Sequence, residues 1–287
     1  MRIERVLASN PSPYTGPGTN TWIVESADAV AIIDPGPVDD SHARAIAERV
    51  GERRVEAVLV THTHEDHAPG AKQLRKLTGA EVLGHEGAEG VSLDGTLADG
   101  DVVEATEFHL PAYGYEPGPA FDPDVRLVDG SEIEVEGLRI RVVHTPGHSD
   151  DHLCFLADRI LFTGDHIMGG SSVMVEKMAP YLESLERLRG LDVEALHPGH
   201  GETMTNPSEV IDWYVAHRLQ REQEVLQAVR AGAASVADIV EVVYRDVDHS
   251  LHPLAAVSVR AHLEKLAADG MVVVEGQTVR TPSEGSR

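Results

Sequence analysis

One cysteine, Cys154, occurs in 287 residues, so no internal disulfide can form. It lies in the apolar run HLCFL and reads as a small buried side chain. Uninterrupted apolar stretches approaching the ~18 residues of a membrane span are missing too. The opening MRIERVLASN has no apolar core of the kind a secretory signal carries. These absences lead to the expectation of a soluble, cytoplasmic protein with no membrane partner. Basic side chains are scarce, 24 against 48 acidic ones for a formal charge of -24. That balance argues against a general polyanion binder, whose affinity comes from Lys and Arg displacing counterions, but leaves a local basic groove open. What is present is a 41% hydrophobic content, enough for a sizeable core, and sixteen histidines placed unevenly. The length suits one large domain, or a large one followed by a small one.

The first half alternates strands and helices. Asn20–Glu25 and Val30–Asp34 form a hairpin pattern that ends at the turn Asp34-Pro35-Gly36-Pro37. Helical spacing runs from Asp39 to Val50, the valine-rich run Val55–Val60 reads as a strand buried on both faces, and helix returns from Ala68 to Leu77. Glu81–Leu83 is a short strand. From Gly84 to about Asp124 the pattern weakens, and PAYGYEPGPAFDP suits a lid or substrate-facing insert as well as disorder. Strands resume at Arg126–Val128, Glu132–Glu136, Leu138–Val143, His152–Leu156 and Ile160–Thr163, followed by a helix from Pro180 to Leu188. A boundary near residues 201–206 divides an expected domain of residues 1–205 from one of 206–287. Asn206, Pro207 and Glu209 open a long helix to about Ala231. Helices Ser235–Tyr244 and Pro253–Ala268 and a terminal hairpin then outline a winged helix.

Chemistry concentrates where strand Val55–Val60 runs into Thr61-His62-Thr63-His64-Glu65-Asp66-His67. On an extended segment His62 and His64 point the same way, because the side-chain period is two. A helix beginning near Asp66 would project Asp66 and His67 into the same space. Imidazoles mixed with carboxylate within six residues suit borderline divalent ions. Three further groups each follow a β-rich run: Thr145-Pro146-Gly147-His148, Thr163-Gly164-Asp165 and Pro198-Gly199-His200-Gly201. Each is weak alone, and their agreement with the first cluster gives them weight.

His62-x-His64-x-Asp66-His67, His148, Asp165 and His200 together resemble the metallo-β-lactamase superfamily of metal-dependent hydrolases, over roughly residues 1–205. The resemblance implies a four-layer αβ/βα sandwich, here followed by a small C-terminal winged-helix-like domain. It implies one metal held by His62, His64 and His148, a second by Asp66, His67 and His200, and Asp165 bridging both. The expected cofactor is a pair of divalent ions, zinc ahead of manganese or iron. Asp66 is the candidate catalytic residue, orienting or accepting a proton. Asp34 matches a structural position near the site. His144, His197 and His166 are candidates to support ligand turns, His152 matches a mainly structural position, and His42, His85, His109, His217, His249, His252 and His262 read as surface or packing residues.

His64 stands where oxygen-reducing diiron members carry glutamate, which favours hydrolysis. Asp165 and the missing signal argue against an exported β-lactamase. Asp165 to Ser172, LHPGHG, HRLQREQEVL and HLEKLAADGMV resemble the beta-lactamase-like protein 2 group, which implies endonucleolytic cleavage of single-stranded RNA. Residues 217 to 287 carry 8 basic and 10 acidic side chains, so almost all the negative charge lies before them. Arg218, Arg221, Arg230, Arg245 and Arg260 are the candidates for a phosphate-facing strip there, with a solvated helix face the commoner arrangement for such residues. Two other functions remain open: a thioesterase resembling glyoxalase II, acting on a small thioester, and a winged-helix regulator with a vestigial metal site. Oligomeric state is not determined by these residues.

Overall fold

The structure, a computed structural model, describes residues 1–85, 121–170 and 172–282. Most of the Gly84–Asp124 insert therefore lies outside the described residues. The chain divides into two compact units, one of Met1–Thr145, Asp150–Gly170 and Val193–Thr205, the other of Pro146–Ser149, Ser171–Asp192 and Asn206–Arg287.

In the first unit, strands β1 (Arg2–Leu7), β2 (Asn20–Ser26), β3 (Ala29–Ile33), β4 (Arg54–Leu59), β5 (Glu81–His85) and β6 (Val125–Leu127) form a six-stranded sheet in sequence order. The first two pairings are antiparallel and the next three parallel. Helices α1 (Asp40–Val50) and α2 (Ala71–Thr78) make the crossovers that parallel neighbours require. A second sheet of β7 (Glu132–Val135), β8 (Leu138–His144), β9 (Leu153–Ala157), β10 (Ile160–Gly164) and β11 (Ala195–Pro198) runs in the order β11-β10-β9-β8-β7.

Alternation along the strands sorts two cores. Ala31, Ile33, Ala57 and Leu59 face Ile140, Val142, Phe155 and Phe162 of the second sheet. Their neighbours Ile32, Val58 and Val60 pack under Ala43, Ile46 and Leu74 of the helices. Both faces of β3 and β4 are thus covered, which is why these segments read as nearly continuous apolar runs. The edge strand β1 gave no such pattern, because Arg2, Glu4 and Arg5 face solvent or partners such as Glu25. Charge on an edge strand guards it against pairing with other chains and hides it from a hydrophobicity reading.

Helix α2 begins at Ala71, three residues later than the periodicity predicts. Gly70 accounts for this: a Cβ there would stand 2.5 Å from the Pro35 carbonyl, and its own N–H is donated to Gly36. Asp66 and His67 consequently project from a turn, closed by the N–H groups of His67 and Ala68 on the His64 carbonyl, and not from a helix.

The second unit holds α3 (Met178–Arg189), α4 (Pro207–Arg230), α5 (Val236–Val243), α6 (His252–Ala268) and the hairpin β12 (Val273–Glu275) and β13 (Thr278–Arg280). Val225, Val229, Ile239, Val259, Leu263 and Val279 form its core, a winged-helix arrangement. Asn206 stands at the start of α4 but does not cap a backbone N–H. Its amide donates instead to Glu209 at 3.3 Å. Arg218 departs further from expectation. It is 2% exposed, donates to the Val173 carbonyl and lies 5.4 Å from the Tyr181 ring. Arg221 pairs with Glu224, donates to the Val243 carbonyl and covers the Tyr244 ring. Two of the five arginines of the anticipated phosphate strip are therefore committed to internal packing. Among the described residues, no helix is long and apolar enough to cross a membrane.

Candidate metal centre

The ends of β3, β4, β10 and β11 converge in the first unit, and Asp34 organises the convergence. It terminates β3 at φ +54°, a left-handed conformation costly for a residue other than glycine. Its carboxylate accepts from Thr61 N at 2.8 Å and Thr61 Oγ1 at 2.9 Å, fixing the segment that leaves β4. Because the Thr61 hydroxyl is donated to Asp34, His62 Nδ1 is the donor in its 3.0 Å bond to Thr61, which makes Nε2 the candidate ligand atom. His62 Nε2 lies 2.9 Å from His64 Nδ1. Thr63 N donates to Asp151 and so holds the segment between the two histidines.

His67 donates Nδ1–H to Asp34 at 2.9 Å, and His200 donates Nδ1–H to the Gly18 carbonyl at 3.1 Å. Both therefore present Nε2. Carboxylate and carbonyl partners of this kind set ring orientation in metal sites. Asp165 follows β10, and its N–H is donated to His152 Nε2 at 3.1 Å, so His152, read from sequence as structural, fixes the backbone that carries Asp165. Two glycines permit the crowding. A Cβ at Gly199 would meet Asp165 Oδ1 at 2.5 Å and His67 Cε1 at 2.6 Å, and one at Gly164 would meet His152 Nε2 and Thr61 Oγ1, each at 2.7 Å.

Donor spacing tests whether an ion fits. Four tetrahedral ligands bound at ~2.1 Å stand ~3.4 Å from one another. From His200 Nε2 it is 3.0 Å to Asp66, 3.3 Å to Asp165 and 3.3 Å to His67 Nε2. From His67 Nε2 it is 3.4 Å to Asp66 and 3.5 Å to Asp165. The separations among Asp66 Oδ2, His67 Nε2 and His200 Nε2 match edges of such a tetrahedron, while Asp165 approaches His67 through Oδ1 and His200 through Oδ2. Imidazoles with carboxylates are a donor set suited to zinc, manganese or iron. Asp165 also forms a group with His62 and His67, the position a bridging carboxylate needs.

The charges agree. Burial alone would raise the Asp66 and Asp165 carboxyls, yet His67 and His200 hold both well below the usual carboxylate range. Burial pushes His200 down, and Asp165 and Asp66 overcome it to bring the imidazole up to about 10. His67 likewise lies well above its ordinary value, driven by Asp66, Asp165 and Asp34. The carboxylates demand positive charge here, which a divalent ion supplies in place of protons.

His62, His64, Asp66, His67, Asp165 and His200 are thus brought together. His148 lies on the Pro146–Ser149 segment of the second unit, buried, with Nδ1 bonded to the Met174 carbonyl at 2.9 Å. Sequence reading passed over Gly18–Thr21, whose contacts reach the site through a carbonyl, hydroxyls and an amide that no ligand motif announces. It also passed over the link from His42, whose Nε2 lies 2.8 Å from Thr21 Oγ1. Elsewhere, Glu241, His249 and His252 form a more exposed group spaced to hold an ion.

Residues 14–200 match the metallo-beta-lactamase superfamily, and residues 235–280 match the beta-lactamase associated winged helix domain. The chain belongs to the metallo-β-lactamase superfamily of hydrolases, with its αβ/βα sandwich fold and a C-terminal winged helix. It is 32% identical to a beta-lactamase-like protein 2 homolog of Drosophila melanogaster over 95% of this chain and 90% of that one. It is 30% identical to an atrochrysone carboxyl ACP thioesterase of Aspergillus novofumigatus, over 94% and 80%. In fold it is similar to a metallo-beta-lactamase family protein of Thermus thermophilus, with a TM-score of 0.79, 22% identity and 98% of each chain covered.

Proposed function

We propose that this protein is a dinuclear metal-dependent hydrolase whose substrate is an acyl thioester. The observation that carries the hydrolase reading is the set of 3.0–3.5 Å separations among Asp66, His67, Asp165 and His200. His62, His64 and His148 would hold one ion, with Nδ1 of His148 turned to Met174 and Nε2 given to the metal. Asp66, His67 and His200 would hold the other, with Asp165 shared. Divalent ions held there would supply Lewis-acid chemistry that lowers the pKa of water toward ~7.

The chain's own groups do the remaining work. Asp66 has a side-chain exposure of 25% against 9% for Asp165, so it is the carboxylate nearer the substrate side and the one suited to move a proton. Water adds at the acyl carbon, the C–S bond breaks, and the proton taken up by Asp66 passes to the departing thiolate. Products are a carboxylic acid and a thiol.

Thioester hydrolysis stands ahead of single-stranded RNA cleavage for two reasons. Relatives named as ACP thioesterases align with nearly the whole chain, and an RNA groove is poorly served by a charge of -24 with Arg218 and Arg221 turned to internal contacts. The cytoplasm is the compartment proposed.

Protein loaded with zinc or manganese should hydrolyse acyl-carrier or acyl-coenzyme A thioesters, and His64→Ala and Asp165→Ala should each lose on the order of 100-fold or more. A labelled single-stranded RNA is assayed in parallel. RNA cleavage without thioester turnover, abolished by the same substitutions, would replace the thioester with a phosphodiester. Fewer than one ion per chain, with no activity gained on adding metal, would leave the winged-helix regulator as the reading.

A further inference from the structure

Four consecutive residues outside the candidate ligand set contact Asp66 and His200 directly and are linked to His67 through Asp34. The Gly18 carbonyl accepts the His200 Nδ1 proton at 3.1 Å. Thr19 Oγ1 donates to Asp66 Oδ2 at 3.2 Å. Asn20 holds the turn that carries His200: its N–H is donated to the Gly199 carbonyl at 2.7 Å, and its side-chain amide to Pro198 and Gly201 at 3.0 and 2.9 Å. Thr21 Oγ1 donates to the Asp34 carbonyl at 2.6 Å, and the carboxylate of Asp34 holds His67 Nδ1.

The segment is itself held in place. Thr19, Asn20 and Thr21 are fully buried. Asn10 brackets Thr19, accepting its N–H and donating to its hydroxyl, each at 2.9 Å. The Asn10 carbonyl is anchored by Thr15 Oγ1 at 2.5 Å. Gly18 is required as glycine. At φ +141° any Cβ would run into the Ala8 carbonyl, so no other residue could aim its own carbonyl at His200 from this position. Thr19 Oγ1 receives from Asn10 and gives to Asp66, a directed chain that fixes which Asp66 oxygen accepts the hydroxyl.

We infer that Gly18–Thr21 is a positioning element that sets the affinity of the second ion, by orienting Asp66, His67 and His200 together. The inference rests on the two-ion reading of the site. Its test is metal binding to the full-length protein, followed by calorimetry with zinc alone after chelator treatment. Thr19→Val keeps shape and removes the hydroxyl, and Thr19→Ser restores it. The second equivalent should bind ~10–100-fold more weakly in Thr19→Val, with the first equivalent unchanged and Thr19→Ser near wild type. A purely structural Thr19 would instead weaken both equivalents in parallel and lower the unfolding midpoint of the metal-free protein, and that result overturns the inference. So does an unchanged second equivalent. If the wild-type chain takes up a single ion, the two-ion reading fails on its own. The inference is then decided on that ion: a loss in Thr19→Val recovered by Thr19→Ser upholds it, and equal affinity overturns it.

Discussion

Gly199 stands against both Asp165 and His67. Its missing side chain is the space in which Asp165 and His67 approach each other, since a Cβ would sit 2.5 Å from Asp165 Oδ1 and 2.6 Å from His67 Cε1. Gly199→Ala must displace one of these ligands or the turn itself, and Asn20 pins the turn through Pro198 and Gly201. Displacement of the order of an ångström costs ~100-fold in rate where geometry is demanding. A loss of that size is expected in hydrolytic activity, together with weaker zinc uptake. Activity within a few-fold of wild type would show that the turn relaxes without disturbing the ligands. The candidate ligand side chains stood out in the sequence because imidazole and carboxylate carry their chemistry wherever they stand, and His62 to His67 cluster within six residues. The groups that orient them were not. Thr19, Asn20 and the Gly18 carbonyl act through hydrogen bonds across more than forty residues of chain, and hydroxyls, amides and carbonyls occur everywhere.

Among the elements, β3 and β4 declared themselves through valine and isoleucine runs, because both faces are covered. β1 did not, because an edge strand with charges on it has no apolar period to show. Helix α4 was placed correctly at Pro207, yet its arginines were read as a surface and two of them are internal. The same helix carries His217, stacked at 5.0 Å and 7° on the exposed Trp213. Burial, then the neighbouring Arg218 and Arg221, push His217 from the ordinary 6.5 down to about 4. The folded helix thus keeps this ring neutral where the unfolded chain would protonate it. Stability from this source is fully present above pH 6.5 and is lost as pH falls from 6.5 to about 4. His217→Phe retains a ring against Trp213 and cannot take a proton. Urea midpoints of variant and wild type should keep a constant difference above about pH 7.5 and shift steadily in the variant's favour on acidification. Curves that stay parallel down to pH 4 would show that His217 titrates alike in both states.

At the scale of the whole chain, sequence order and compact packing do not coincide. Composition changes near residue 206, where the winged-helix pattern begins, but Ser171–Asp192 groups with the tail in one compact unit. The cause is visible in single contacts. Arg218 of α4 donates to Val173 and covers Tyr181 of α3, and the Ser258 hydroxyl of α6 receives Val175 N–H. Periodicity reports each helix's apolar face and not which partner covers it, so the boundary could not reveal this exchange. It has a consequence for truncation. A chain ending at Thr205 keeps α3 but loses α4 and α6, leaving Tyr181, Leu185 and Leu188 without those neighbours; all three are fully buried in the intact protein. Each such side chain contributes ~1.5–3 kcal/mol when buried, and the total stability of a domain is only ~5–15 kcal/mol. Residues 1–205 alone should therefore aggregate or bind a hydrophobic dye strongly, and their unfolding should lose cooperativity relative to the full chain. A soluble monomer of residues 1–205 that melts sharply at the full-length temperature would mean that the sheets sustain α3 without the tail.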